Sequence, residues 1–182
     1  ELSDGYTYIP STLTPEITDV TPEIIQVEAG TASYYLPEDL MIAIHGSDFM
    51  VTTYESDGKS VKSYPKVQIG SNIILNKNAD PDLDMVVLNE NGSEVDGSIG
   101  NDTGTKILVT IPASEFGIDS LGRTYARVTN PLRDDSGYGF FTQESDMVEF
   151  VTVDENSVPH ITSVSPSVVP LEGGDTITVE GS

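Results

Sequence analysis

Eight basic residues against thirty acidic ones give this 182-residue chain a formal net charge of −22. That balance repels nucleic-acid phosphates and anionic membrane, and favours hard cations such as calcium. No cysteine is present, which excludes a disulfide framework and a thiolate metal site, although the length suffices to bury a core without staples.

No apolar run reaches the ~18 residues of a membrane-spanning helix. Glu1 is not an initiator methionine and no signal peptide is visible, so the chain reads as a mature or excised product. Residues 1–10 alternate Tyr6 and Tyr8 with Thr7 and Ile9, the pattern of a closing strand ended by Pro10. Residues 11–14 form a short linker, too short to let neighbouring domains swing freely. Residues 16–29 read as an opening strand broken at Pro22, as in a strand that crosses between two sheets. After a polar and aromatic stretch at 31–39, residues 40–44 read as a core strand that Gly46, Ser47, Asp48 and Phe49 turn out of the sheet.

The Asp57-Gly58 dipeptide between strand-like flanks predicts a hairpin. Val67 and Ile69 then share one face of the next strand. An acidic loop at 76–84, a short apolar strand at 85–88 and a second hairpin dipeptide, Asn91-Gly92, follow. Residues 93–104 are loop by composition. Residues 107–111 are the strongest β run, ended by Pro112, and residues 114–116 have room for one helical turn. Strands at 124–128 and 147–153 close the unit around a polar, glycine-rich loop. No segment sustains a 3.6-residue apolar period, so the chain reads as all-β. Its predicted core is Ile42, Ile44, Val67, Ile69, Ile107, Val109, Ile111 and Val128.

The end of the chain repeats its beginning. PEITDVTP from Pro15 recurs as PHITSVSP from Pro159, and Gly30 recurs as Gly174, 144 positions on in each case. Residues 6–14 precede Pro15 as residues 150–158 precede Pro159. Past Gly30 the offset becomes 135, and residues 40–47 (LMIAIHGS) match residues 175–182 (DTITVEGS). Fixed-period self-similarity marks a tandem array. Residues 1–14 then read as the last strand of one repeat plus a linker, 15–153 as a complete repeat, and 154–182 as a linker and the opening strands of the next. An immunoglobulin-like sandwich takes about 100 residues, so this period leaves room for long loop insertions.

Pro159, Ile161, Pro166, Gly173, Gly174 and Gly181 carry a resemblance to a known family, as do Pro15, Ile17, Pro22, Gly30, Gly46, Ser47, Asp48 and Phe49. Residues 66–71, 107–113 and 125–131 extend it. The chain resembles the IPT/TIG family of immunoglobulin-like domains, which departs from it at 31–39 and in the long loops. The resemblance implies tandem immunoglobulin-like β-sandwiches in an extracellular or cell-surface protein of the prokaryotic tandem-repeat kind.

Little here suggests catalysis. His45 and His160 stand where the other copy has Glu180 and Glu16, as surface positions do. No nucleophile elbow, zinc-ligand pair or phosphate-cradling loop occurs. The one constellation with chemical content is Asp80-x-Asp82-x-Asp84, whose alternate carboxylates could converge on calcium, with Asn78, Glu90 and Asp96 nearby. It is not an EF-hand, since Met85 stands at the sixth position and Asn91 at the twelfth. The alternative is an exposed acidic turn shaped by Pro81. Residues 133–137 (RDDSG) are a weaker candidate of the same kind, and Asn91 and Asn101 head glycosylation sequons in predicted loops.

Together these features predict a non-enzymatic extracellular module, one repeat of a stalk, fibre or surface layer. Its partners would be neighbouring repeats or other copies in a polymer, without nucleic acid or membrane insertion. The alternative is an adhesin, or a carbohydrate-binding accessory module with residues 72–105 as its tip. The scarcity of aromatics, with no tryptophan, weighs against a sugar-stacking platform.

Overall fold

The computed structural model describes residues 14–56, 58–97, 101–131, 143–154, 161–168, 173–174 and 176–181. The described residues are all-β, with strands β1 (Glu16–Thr21), β2 (Ile24–Ala29), β3 (Tyr34–Tyr35), β4 (Leu40–Ser56), β5 (Lys59–Ser63), β6 (Lys66–Ile69) and β7 (Ile73–Leu75). They continue as β8 (Met85–Leu88), β9 (Asn101–Ile111), β10 (Gly122–Asn130), β11 (Gln143–Glu144), β12 (Val148–Asp154), β13 (Ile161–Ser165) and β14 (Thr178–Gly181). One sheet runs β1-β4-β9-β8 with β5 on β4, and the second runs β3-β2-β12-β10-β6-β7 with β11 on β10. β13 and β14 form a two-stranded sheet of their own.

Period-2 patterning explains how the first two sheets share one core. Ile25 and Val27 of β2, Phe150 of β12, Ala126 and Val128 of β10, and Val67 and Ile69 of β6 turn inward from one sheet. Ile17 and Val20 of β1, Ile42 and Ile44 of β4, Met85 and Val87 of β8, and Ile107, Val109 and Ile111 of β9 join the same cluster from the other. All eight core residues expected from the sequence are buried. The break at Pro22 acts as the pattern suggests: β1 pairs with β4 in one sheet, and β2 crosses to pair with β12 in the other. That second pairing is parallel, with Ile24 opposite Val151 and Val27 opposite Asp154.

Three segments differ from the sequence reading. β4 does not turn out at Gly46 but runs for 17 residues, through a bulge between His45 and Phe49. The reason is hydrophobic: Phe49, Met50 and Val51 are buried, so leaving the sheet would expose them. Residues 101–104, read as loop, open β9 and pair with β4, Thr52 opposite Asn101 and Phe49 opposite Gly104. Glycine suits that position because a Cβ on Gly104 would lie 2.6 Å from the Leu88 carbonyl oxygen, so β8 can approach only a bare backbone. Residues 113–115 form a turn rather than a helical turn, closed by the Glu115 N–H donating to the Pro112 carbonyl at 3.0 Å, and it buries Phe116. The expected strand at 1–10, His160 and the acidic stretch at 133–137 lie outside the described residues.

Candidate functional site

The least expected polar group in the molecule is Asn130. It follows Ala126 and Val128 at period 2 on β10 and therefore faces inward, where it is 2% exposed. Its Oδ1 accepts the Met50 N–H at 2.9 Å and its Nδ2 donates to the Asp48 carbonyl at 2.7 Å. One amide from the second sheet thus holds the β4 bulge of the first, at Asp48, whose φ is 58°. Gly46 completes the bulge. A Cβ there would collide with the Glu16 carbonyl oxygen and stand 2.7 Å from Phe49 Cζ. The sequence signal for Asn130 was an amide in an inward register, a position that must be satisfied when buried.

The acidic loop is held by its own polar groups. Asn76 Oδ1 accepts the Asn78 N–H, and the Asn76 carbonyl accepts the N–H groups of Ala79 and Asp80. Asp80 Oδ1 accepts the Asp82 N–H at 3.1 Å, the side-chain-to-backbone turn that aspartates make two residues on. Asp84 Oδ2 accepts the Thr110 hydroxyl at 3.0 Å, which ties the loop to β9. Asn78 does not face the aspartates: its amide brackets Tyr64, accepting its N–H and donating to its carbonyl, each at 2.8 Å. Lys77 reaches from the same loop to the Met85 carbonyl at 2.7 Å and stands 5.1 Å from the centre of the Tyr64 ring. Beneath these polar groups Leu83 is buried in the core. Among the described residues no group of three or more His, Asp or Glu side chains is placed to hold a metal ion.

The two sequons fall in different surroundings. Asn91 is exposed at the tip of a tight turn after β8, organised by Asn89, whose Oδ1 accepts the N–H groups of Asn91 and Ser93. Asn101 is the first residue of β9 rather than a loop residue. Of the loosely associated acids, Glu90 is exposed in the same turn, and the Asp96 carbonyl accepts the Thr53 hydroxyl at 3.4 Å. His45 lies on β4 with Asp19 and Lys106 as cross-strand neighbours.

Two further surfaces stand out among the described residues. A shallow groove of about 210 Å³ lies between the β6–β7 turn and residues 117–120, with Asn72, Asp119, Ser120, Arg123 and Tyr125 among its walls. Arg123 there pairs with Glu149 at 3.0 Å, and both side chains are well exposed.

The second surface is the face of the β13–β14 sheet. Its pairing repeats that of β1 with β4 over the described positions. Ile161 opposes Gly181 as Ile17 opposes Gly46, Val164 opposes Val179 as Val20 opposes Ile44, and the bulge falls at the same step. Burial differs completely. Ile161 and Ile177 are 63% and 53% exposed, whereas their counterparts Ile17 and Ile42 are 7% and 0%.

Comparison with known protein families, with curated proteins and with solved structures gives no match to this chain.

Proposed function

We propose that the chain is a non-enzymatic structural module of an extracellular or cell-surface protein, built of immunoglobulin-like sandwiches of the IPT/TIG kind in tandem. The observation that carries this reading is the coincidence of register between β1–β4 and β13–β14, bulge included, at the offsets seen in the sequence. Two segments that independently adopt one pairing, one with its apolar face covered and one without, are what successive copies of a unit would give. The strand order supports the immunoglobulin-like part. A β1-β4-β9-β8 sheet facing β2-β12-β10-β6 follows the ABED and GFC arrangement, with the first strand divided between the sheets. Neighbouring units, in the same polypeptide or in other copies, are the partners such a module would have.

The polar groove at Asn72, Asp119 and Arg123 favours a second reading, an adhesin or a carbohydrate-binding accessory module. Electron microscopy of the full natural polypeptide tests the first reading. A row of evenly spaced domains is expected, and a single globule without repeating units would overturn it. A glycan-array screen of this chain tests the second, and sugar binding lost on Arg123→Ala would favour it.

A further inference from the structure

The second and last strands of the sandwich, β2 and β12, are adjacent and parallel, and this has a mechanical consequence. In the β2–β12 ladder Ile24 opposes Val151 at one end and Val27 opposes Asp154 at the other. Tension between the preceding and following parts of the chain enters β2 at its Ile24 end and leaves β12 at its Asp154 end. Because the strands run in the same direction, these two points lie at opposite ends of the ladder. The pull therefore slides one strand along the other and loads every paired position at once. An antiparallel pair would place both points at the same end, and the bonds would open one after another.

Packing adds to the resistance. Ile25 and Val27 on β2, and Phe150 and Thr152 on β12, are buried, so sliding must also drag these side chains through a close-packed core. β1 carries the same load before β2 does. It lies along β4 over five paired positions, from Glu16 opposite Ser47 to Thr21 opposite Ala43.

We infer that the parallel β2–β12 pair is a shear clamp, and that the sandwich serves to transmit tension between the units on either side of it. The inference rests on the tandem reading for the source of the load. It stands or falls separately, since it is measured on this chain alone.

Single-molecule pulling tests it. The chain has no cysteine, so introduced thiols give unique attachment points. One arm pulls the chain by its two ends. The other pulls through Glu23→Cys and Met147→Cys, exposed positions beside the N-terminal ends of β2 and β12, so that the same ladder opens from one end. Loading bonds together rather than singly is expected to raise the unfolding force at least about two-fold at equal speed. Equal forces in the two directions would overturn the clamp.

A second comparison separates mechanical from thermodynamic strength. Val151→Pro removes the N–H that donates to the Glu23 carbonyl at 2.9 Å, within the clamp. Asn130→Ala weakens the fold without touching β2 or its ladder. End-loaded force should fall for the proline variant and hold for the alanine variant. A fall of the same size in both would show that resistance comes from global stability, against the inference.

Discussion

Removing the Asn130 amide is the sharpest test of how the two sheets are held in register. In Asn130→Ala the Met50 N–H and the Asp48 carbonyl lose the partners that now lie 2.9 and 2.7 Å away. The Met50 N–H is buried and the Asp48 carbonyl part-buried, so water replaces the amide poorly at the first and only in part at the second. Each orphaned group costs about 1–3 kcal/mol, and together about 2–4 kcal/mol is expected after partial relaxation. That is a large part of the ~5–15 kcal/mol that holds a domain folded. For a chain of this length the melting temperature should drop by about 5–15 °C. Urea unfolding should show a lower midpoint with an unchanged slope, because the variant buries the same surface. Asn130→Asp is expected to be worse than alanine. It keeps an acceptor for Met50 but places a buried carboxylate against the Asp48 carbonyl. An alanine variant within about 0.5 kcal/mol of the parent would refute the reasoning, since surface positions behave that way and clamps do not.

Other outcomes follow from the same geometry. Gly46→Ala forces a Cβ against the Glu16 carbonyl, so β1 must shift, and a loss of about 1–3 kcal/mol in urea unfolding is expected, with no loss meaning that β1 adapts freely. Val109→Asp puts an unpaired charge into the shared core, a cost of several kcal/mol, and a soluble, folded variant would remove β9 from that core. If Asp80, Asp82 and Asp84 bind calcium, millimolar calcium raises the melting temperature above its value in chelator, and an unchanged melting temperature would remove the three aspartates as ligands. The Tyr35 hydroxyl donates to Glu28 at 2.7 Å, and that bond, with the nearby carboxylate charge, raises the phenol above its ordinary 10.0. A raised folded-state value means that its contribution is present below pH 10.0 and is lost as pH climbs through the folded value. Ultraviolet titration should find a late tyrosine that Glu28→Ala, which removes both the acceptor and the charge, brings back toward the ordinary value.

The alternating aliphatic positions were legible in the sequence because burial at period 2 is a local pattern, and Ile42, Ile44, Ile107, Val109 and Ile111 needed nothing else. The continuation of β4 past Gly46 was not. Burial of Phe49, Met50 and Val51 carries it on, and the bulge on the way is held by a contact with Glu16 and an amide from Asn130, both remote in sequence. Glycine, aspartate and asparagine between residues 93 and 104 read as loop because those residues disfavour strands in isolation. Gly104 instead answers the close approach of Leu88, which no local rule reports. The aspartates at 80, 82 and 84 present one pattern with two readings. Their spacing suits metal coordination and also suits turns that aspartate closes on its own backbone, and composition alone does not separate the two. The matching segments were legible because they occur twice in the sequence, and β13–β14 pairs in the register of β1–β4 with its apolar residues exposed.

That open face allows the most direct measurement. Residues 47–154 can be appended after Gly181, so that β14 is followed by the strands that follow the corresponding part of β4. Amide hydrogen exchange then compares Ile161, Val164, Ile177 and Val179 in the extended chain and in the present one. If β13–β14 opens a further sandwich, their protection should rise toward that of Ile17, Val20, Ile42 and Ile44, and Ile177→Asp should abolish the gain. Exchange as fast in the extended chain as in the present one would contradict the tandem account.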